Sequence, residues 1–323
     1  MVPLYEHVLL RPDATIHYWT AGPTDAPIVV LLHGATLDHQ AWAPQIEALA
    51  ARFSVVVPDL RAHGASTGHF GFHAAVEDTL ALLDELPSRR IVLVGLSLGG
   101  NIAQEVLRRR PDDVRALVAA DTTCNTAARH PLAASLSVAT LQAQAVLAGD
   151  GFAEQAARAT AVKPAVRDYV LQVNADRSNR ETVHILTSLL TTALHADPDY
   201  RLPVPTLLVH GQFDHIGDIA SAMPSWAERE PLARHAVIAN AGHASNLDNP
   251  EAFTALLTTF LDEVLHPADQ RRVRPARGGG ARPALRFPPV APPAGGDPRP
   301  LPRPRRRPRQ PGATTVPGSL SEK

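Results

Sequence analysis

The sequence predicts an α/β protein: a doubly wound, mostly parallel sheet with an inserted helical cap and a disordered, Pro/Arg-rich C-terminal tail. Three observations carry that reading. Apolar runs recur at 28–32, 55–57, 91–94, 114–119, 206–209 and 235–238. Most are too continuous for half-exposed strands and fit strands covered on both faces, as in a parallel sheet. Helical patterns fall between them, at 42–51, 72–85, 101–110 and 252–265, and strand–helix alternation is the signature of parallel crossovers. The rhythm then breaks twice, once between residues 122 and 200 and again from residue 268.

Each element follows in chain order. Residues 8–10 and 15–19 flank Pro12-Asp13-Ala14 and read as an antiparallel hairpin. The strands and helices named above then build the first half of the sheet. Residues 123–200 hold no convincing strand. They are rich in Ala, Leu and Gln and are cut by Gly149-Asp150-Gly151, Pro164 and the 174–179 stretch. Three or four helices are expected there, forming a cap over a core made of residues 1–122 and 201–267.

Residues 268–323 are dominated by Pro, Gly and Arg, with Phe287 the sole aromatic. Such a segment buries too little apolar area to offset chain entropy, so disorder is expected. It carries 13 Lys and Arg against 3 Asp and Glu, leaving 18 against 29 for residues 1–267. The formal charge of −1 therefore averages an acidic body and a basic tail. P-x-x-P spacing at 289–292 and 308–311 fits proline-binding modules, and the charge fits nucleic acid or acidic lipid. No aromatics interleave with the basic residues for base stacking. A solvated tail is the expectation, with no nucleic-acid or membrane partner.

A single cysteine, Cys124, excludes an intramolecular disulfide. The first residues lack a basic segment followed by an apolar one, and no apolar run reaches the roughly 20 residues of a membrane span. A cytoplasmic protein is expected.

The chemistry concentrates at Gly95-Leu96-Ser97-Leu98-Gly99-Gly100. It follows the apolar run 91–94 and precedes a helix with Ile102, Val106 and Leu107 on one face. A G-x-S-x-G in that strand–turn–helix context is a nucleophile elbow. The turn forces the serine into a strained conformation that lifts its hydroxyl above the sheet edge, and glycines at ±2 avoid collision. The helix N-terminus points free N–H groups at the site, which suits a developing oxyanion.

A serine needs a base, and the base an orienting acid. Asp214 lies just past the 206–210 strand, where α/β sites gather. His243 lies in a loop between small neighbours, after the 235–238 strand. Asp121, just after the 114–119 strand, is an alternative acid, and Asp218 and Asp248 are less well placed. The oxyanion donors expected are the backbone N–H groups of Leu98 and of Ala35, in the loop after residues 28–32. The 15 histidines include His69 and His73 at i,i+4, but with Gly71 between them and no following Glu, so no metal and no cofactor are expected.

Together, His33-Gly34, the 59–66 stretch, Gly95–Gly100, 211–214 and Gly242-His243 resemble the α/β-hydrolase superfamily over about residues 1–267. The 59–66 segment is similar to the family's D-x-R-G-x-G-x-S loop, with Ala62 where glycine is usual. The resemblance is to the capped group of 3-oxoadipate enol-lactonases, small-molecule esterases and perhydrolases. It implies a serine hydrolase that cleaves an ester, lactone or related acyl bond of a small molecule through an acyl-enzyme. The same framework also serves C–C bond hydrolysis, perhydrolysis, or acyl transfer and cyclisation. A third class is a non-enzymatic small-molecule receptor, which would bind tightly with little turnover.

Overall fold

The computed structural model describes residues 2–87, 91–128 and 132–265. The expected disorder of 268–323, and its P-x-x-P segments, lie outside the described residues.

The chain opens with a hairpin, β1 (Tyr5–Arg11) and β2 (Ala14–Ala21). β3 (Ile28–Leu32), a 3-10 turn at His39–Trp42 and α1 (Ala43–Leu49) follow, then β4 (Ser54–Pro58) and α2 (Phe72–Glu85). β5 (Ile91–Leu96), α3 (Leu98–Arg109) and β6 (Val114–Ala120) complete the first half. Between β6 and β7 (Thr206–Gly211) stand four helices: α4 (Ala133–Ala148), α5 (Phe152–Thr160), α6 (Pro164–Val173) and α7 (Asn179–Thr192). The chain then runs through α8 (Ile219–Arg229), β8 (Ala233–Ile238), the short α9 (Ser245–Asp248) and α10 (Pro250–Leu265).

The eight strands form one sheet in the order β1-β2-β4-β3-β5-β6-β7-β8. β1 and β2 are antiparallel, as are β2 and β4, and every other pairing is parallel. The continuous runs are central strands: β3 and β5 are buried throughout, because helices cover both faces. Alternate residues enter different cores. Val29, Leu31, Val92, Val94 and Leu96 face the layer of Trp42, Phe53, Phe253 and Phe260. Val30, Leu32 and Leu93 face the layer of α2, α3 and α8. β8 departs from the expectation of a covered strand. It sits at the sheet edge, and of its residues only Ile238 is buried.

The breaks read from the sequence lie between helices. Gly149–Gly151 is a 3-10 turn, Pro164 is the first residue of α6, and Ser178 with Glu181 forms a capping box on α7. α5 and α6 bury Ala157, Val166, Tyr169 and Val170 in the first core. α7 sends Ile185 into the second. α8 has no counterpart among the expected helices: Pro224 lies inside it, and an internal proline argues against a helix in any propensity reading.

Two histidines stack across β7 and β8. The His210 and His235 rings lie 5.1 Å apart at 22°. Burial, with His210 adding, pushes His235 down to about 4. The fold thus holds this imidazole neutral. Its contribution to stability is complete above the ordinary value of about 6.5 and is lost as pH falls from there towards 4, where only the unfolded chain takes up the proton. Replacing His235 with Gln is expected to flatten the fall in urea stability over that window, measured at intervals from pH 7 to 4.

Candidate functional site

Ser97, Asp214, His243 and the 33–38 loop all follow the C-terminal ends of parallel strands: β3 and β5 are neighbours, β7 and β8 are neighbours, and β6 lies between the two pairs. Ser97 sits between β5 and α3 with φ 52° and ψ −116°, the strained turn that the elbow requires. Its N–H donates to Ala120 O (2.8 Å), and its own carbonyl accepts from the Thr122 hydroxyl (2.8 Å). The glycines answer to specific backbone. A Cβ on Gly95 would stand 2.3 Å from Gly99 O, and one on Gly99 would stand 2.2 Å from Leu32 O. The two glycines therefore do not merely avoid each other; the second lets the elbow press against the end of β3. Gly95→Ala meets rigid backbone and is expected to cost about 3 kcal/mol or more of stability, read by urea denaturation.

The three side chains form one hydrogen-bonded chain. His243 Nε2 lies 2.8 Å from Ser97 Oγ, and His243 Nδ1 lies 3.0 Å from Asp214 Oδ2. Asp214 Oδ1 accepts the Ile216 N–H at 2.9 Å, which leaves Oδ2 aimed at the ring. Both partners are nearly inaccessible, His243 at 6% and Asp214 at 4% exposure. Burial by itself would disfavour both charges. It is outweighed for His243 by the Asp214 charge and hydrogen bond, so the imidazole lies above its ordinary value. His243 in turn holds Asp214 below the usual carboxylate range.

Asp121, the alternative acid, points elsewhere. Its Oδ1 accepts Gly211 N–H at 2.7 Å, and its Oδ2 meets the Ser245 hydroxyl and N–H. Burial pushes it up to about 8, with Asp214 adding and His243 opposing. It braces the loops on which the other two groups stand.

Leu98 is the first residue of α3, so its N–H has no acceptor within the helix. Ala35 lies one residue beyond Gly34, where a Cβ would be 3.5 Å from Ser97 Cβ. That loop is held by His33, whose exposure is 0%. His33 Nε2 accepts Leu60 N–H (2.9 Å), which leaves the proton on Nδ1 to donate to Gly34 O (2.8 Å). Burial keeps this ring neutral, lowering its pKa against the pull of Asp59. The 59–66 segment is scaffold for the same loop. Asp59 accepts from His39 and Ala65 N–H, and Arg61 grips Asp78 through two nitrogens at 2.8 and 2.9 Å. Ala62 adopts φ 62°, the conformation that makes glycine usual there.

Two side chains of the site carry no sequence signal. Thr122 holds the elbow's carbonyl from the end of the neighbouring strand, a partnership set by the β5–β6 register. Tyr169 on α6 donates to Asp38 Oδ1 at 2.6 Å, tying the insertion to the 33–38 loop. Asp38, raised by burial and by Asp59, is the acceptor. Cys124 lies apart from this chain, with Thr126 Oγ1 at 3.4 Å and an Arg229 nitrogen at 3.2 Å. Among the described residues no group of three or more His, Cys, Asp or Glu could hold a metal ion, and no helix is long and apolar enough to cross a membrane.

This arrangement can deprotonate a serine hydroxyl and present it to an electrophilic carbonyl. Known proteins share the framework. A pimeloyl-[acyl-carrier protein] methyl ester esterase of Aromatoleum aromaticum is 33% identical over 258 residues, spanning 72% of this chain and 96% of that protein. The solved structure of a thermophilic esterase from Thermogutta terrifontis matches with TM-score 0.68 and 27% identity, over 81% of this chain and 99% of that one. An enol-lactonase from Burkholderia xenovorans matches in fold, with TM-score 0.66 and 23% identity over 80% and 100% of the two chains. The family model for the alpha/beta hydrolase fold matches residues 27–250, which take in Ser97, Asp214, His243 and the loops that carry them. The chain belongs to the α/β-hydrolase family.

Proposed function

We propose that the protein hydrolyses carboxylic esters of small molecules through a Ser97 acyl-enzyme. The observation that carries the reading is the Asp214–His243–Ser97 chain, 3.0 and 2.8 Å between heavy atoms, with Asp214 and His243 buried. His243 Nε2 takes the Ser97 proton as Oγ attacks the carbonyl. Asp214 holds the Nδ1–H tautomer and stabilises the imidazolium that forms. The N–H groups of Leu98 and Ala35 receive the oxyanion. His243 then hands its proton to the leaving alcohol, and a water repeats the cycle on the acyl-enzyme. No metal or cofactor enters. The methyl ester esterases among the relatives support a small alcohol as the leaving group. The helices α4–α7 act as the cap that shapes the acyl pocket, a role supported by the Tyr169–Asp38 bond and by Asn174 Nδ2 donating to Thr36 O at 2.9 Å.

The test is a panel of p-nitrophenyl esters and carboxylic methyl esters, with lactones beside them, together with labelling by a fluorophosphonate. Turnover of esters is expected, with the phosphonyl mass on the peptide that contains Ser97. Binding without turnover, or a label elsewhere, would overturn the reading and favour the receptor alternative. Because His243 must be neutral to act and is raised in the fold, the acid limb of kcat/KM is expected above pH 6.5.

A further inference from the structure

Asp248 is fully buried, yet its carboxylate reaches no cation among the described residues. It faces three backbone N–H groups on two separate segments. Oδ2 accepts Val162 N–H and Gly242 N–H, each at 2.8 Å, and Oδ1 accepts Lys163 N–H at 2.9 Å. Val162 and Lys163 form the turn between α5 and α6. Gly242 immediately precedes His243. Two of these bonds cross between the segments, and a third crosses without Asp248: Ala244 N–H donates to Thr160 O at 2.7 Å. The backbones are close enough that a Cβ on Gly242 would stand 3.3 Å from Val162 Cγ2 and 3.4 Å from Thr160 O. The residues on both sides of His243 are therefore bonded, directly or through Asp248, to the end of α5 and the turn that follows it.

We propose that Asp248 is a positioning residue that clasps the α5–α6 turn to the His243 loop, so that seating of the helical insertion and placement of the base are one event. The inference rests on the ester hydrolase reading, in which His243 is the base. A carboxylate suits the task because two oxygens offer about four acceptor positions, enough to serve both segments at once. Asparagine offers one acceptor oxygen and replaces the other with donors that would face N–H groups. When the turn lifts, the Val162 and Lys163 bonds to Asp248 and the Ala244 bond to Thr160 are lost together, and the segment that carries His243 loses its brace. Misplacement of a base by about 1 Å is enough to cost roughly 10²-fold in rate.

Two variants test this in the full chain. Asp248→Asn removes the double acceptor. Lys163→Pro deletes one donor only, at a position whose φ of −74° already suits proline and whose side chain is exposed. Amide exchange by mass spectrometry is expected to rise in both variants over residues 240–249 and 158–166 together. With p-nitrophenyl acetate, kcat is expected to fall at least 10-fold in Asp248→Asn and about 3-fold in Lys163→Pro, with KM changed less than 3-fold, at a temperature where circular dichroism is native. Ser188→Ala loosens the insertion on its other side, where Ser188 Oγ accepts Phe72 N–H, and should leave kcat within twofold. Exchange that rises only over 158–166, kcat within twofold in both natively folded variants, or an equal loss in Ser188→Ala would each overturn the clasp. If the wild type hydrolyses no ester, the proposed function fails, while the exchange pattern still decides whether the two segments open together.

Discussion

Ser97→Ala is expected to lower kcat by roughly 10⁶-fold on whichever ester the wild type turns over best, with little change in KM. The size follows from what is removed. Under the proposed mechanism the variant keeps the N–H groups of Leu98 and Ala35 and the His243–Asp214 pair, and with them ester binding and polarisation of its carbonyl. It loses the only oxygen that the 2.8 Å contact to His243 Nε2 activates. Residual hydrolysis of about 10³–10⁴ over water is the level that binding and oxyanion donors sustain without the nucleophile. The burst of p-nitrophenol in stopped flow should vanish with it. A variant that kept a burst would mean that acylation takes place elsewhere.

Asp214→Asn is the second large effect, about 10⁴-fold in kcat, and its comparison with Asp121→Asn separates the two candidate acids. The introduced carboxamide could still reach Nδ1, but as a neutral partner it no longer enforces the Nδ1–H tautomer or stabilises the imidazolium. Because the Asp214 charge and hydrogen bond raise His243, the acid limb of kcat/KM should also move to lower pH in this variant. Asp121→Asn is expected to behave differently. Burial, with Asp214 adding, pushes its carboxyl up to about 8, so an uncharged isostere is a small change there. Its partners are Gly211 N–H and Ser245, not the His243 ring. A kcat within about tenfold of wild type is expected, with the larger change in thermal stability. Matching losses in the two variants would place Asp121 in the chemistry.

The comparison of residues with structure has a consistent pattern. Ser97 is legible because a β-branched run, three glycines and an amphipathic segment follow one another directly along the chain, and each is a local steric demand. His243 and Asp214 are legible as polar residues just past apolar strands, although two acids satisfy that description. What separates them is the direction of each carboxylate. Asp121, at φ 47°, turns towards Gly211 and Ser245, and Asp214 towards the ring. Sequence distance carries no such direction. α8 is hidden by Pro224, and β8 reads as a covered strand because its edge position depends on which strand lies beside it.

Asp248 marks the same boundary. In the sequence it is one acid among several near His243, less well placed for the triad than Asp214. Its three N–H partners come from residues 162, 163 and 242, and two of these lie some 85 positions away. The sequence by itself determined the layered α/β architecture, the elbow and the serine and histidine that meet beside it, because these follow from periodicity and from steric limits within a few residues. The tertiary structure alone decided which acid faces the His243 ring, how the 33–38 loop is braced by His33, and where the insertion is fastened. Those depend on hydrogen bonds between distant segments, whose partners are set by strand order and register rather than by neighbours along the chain.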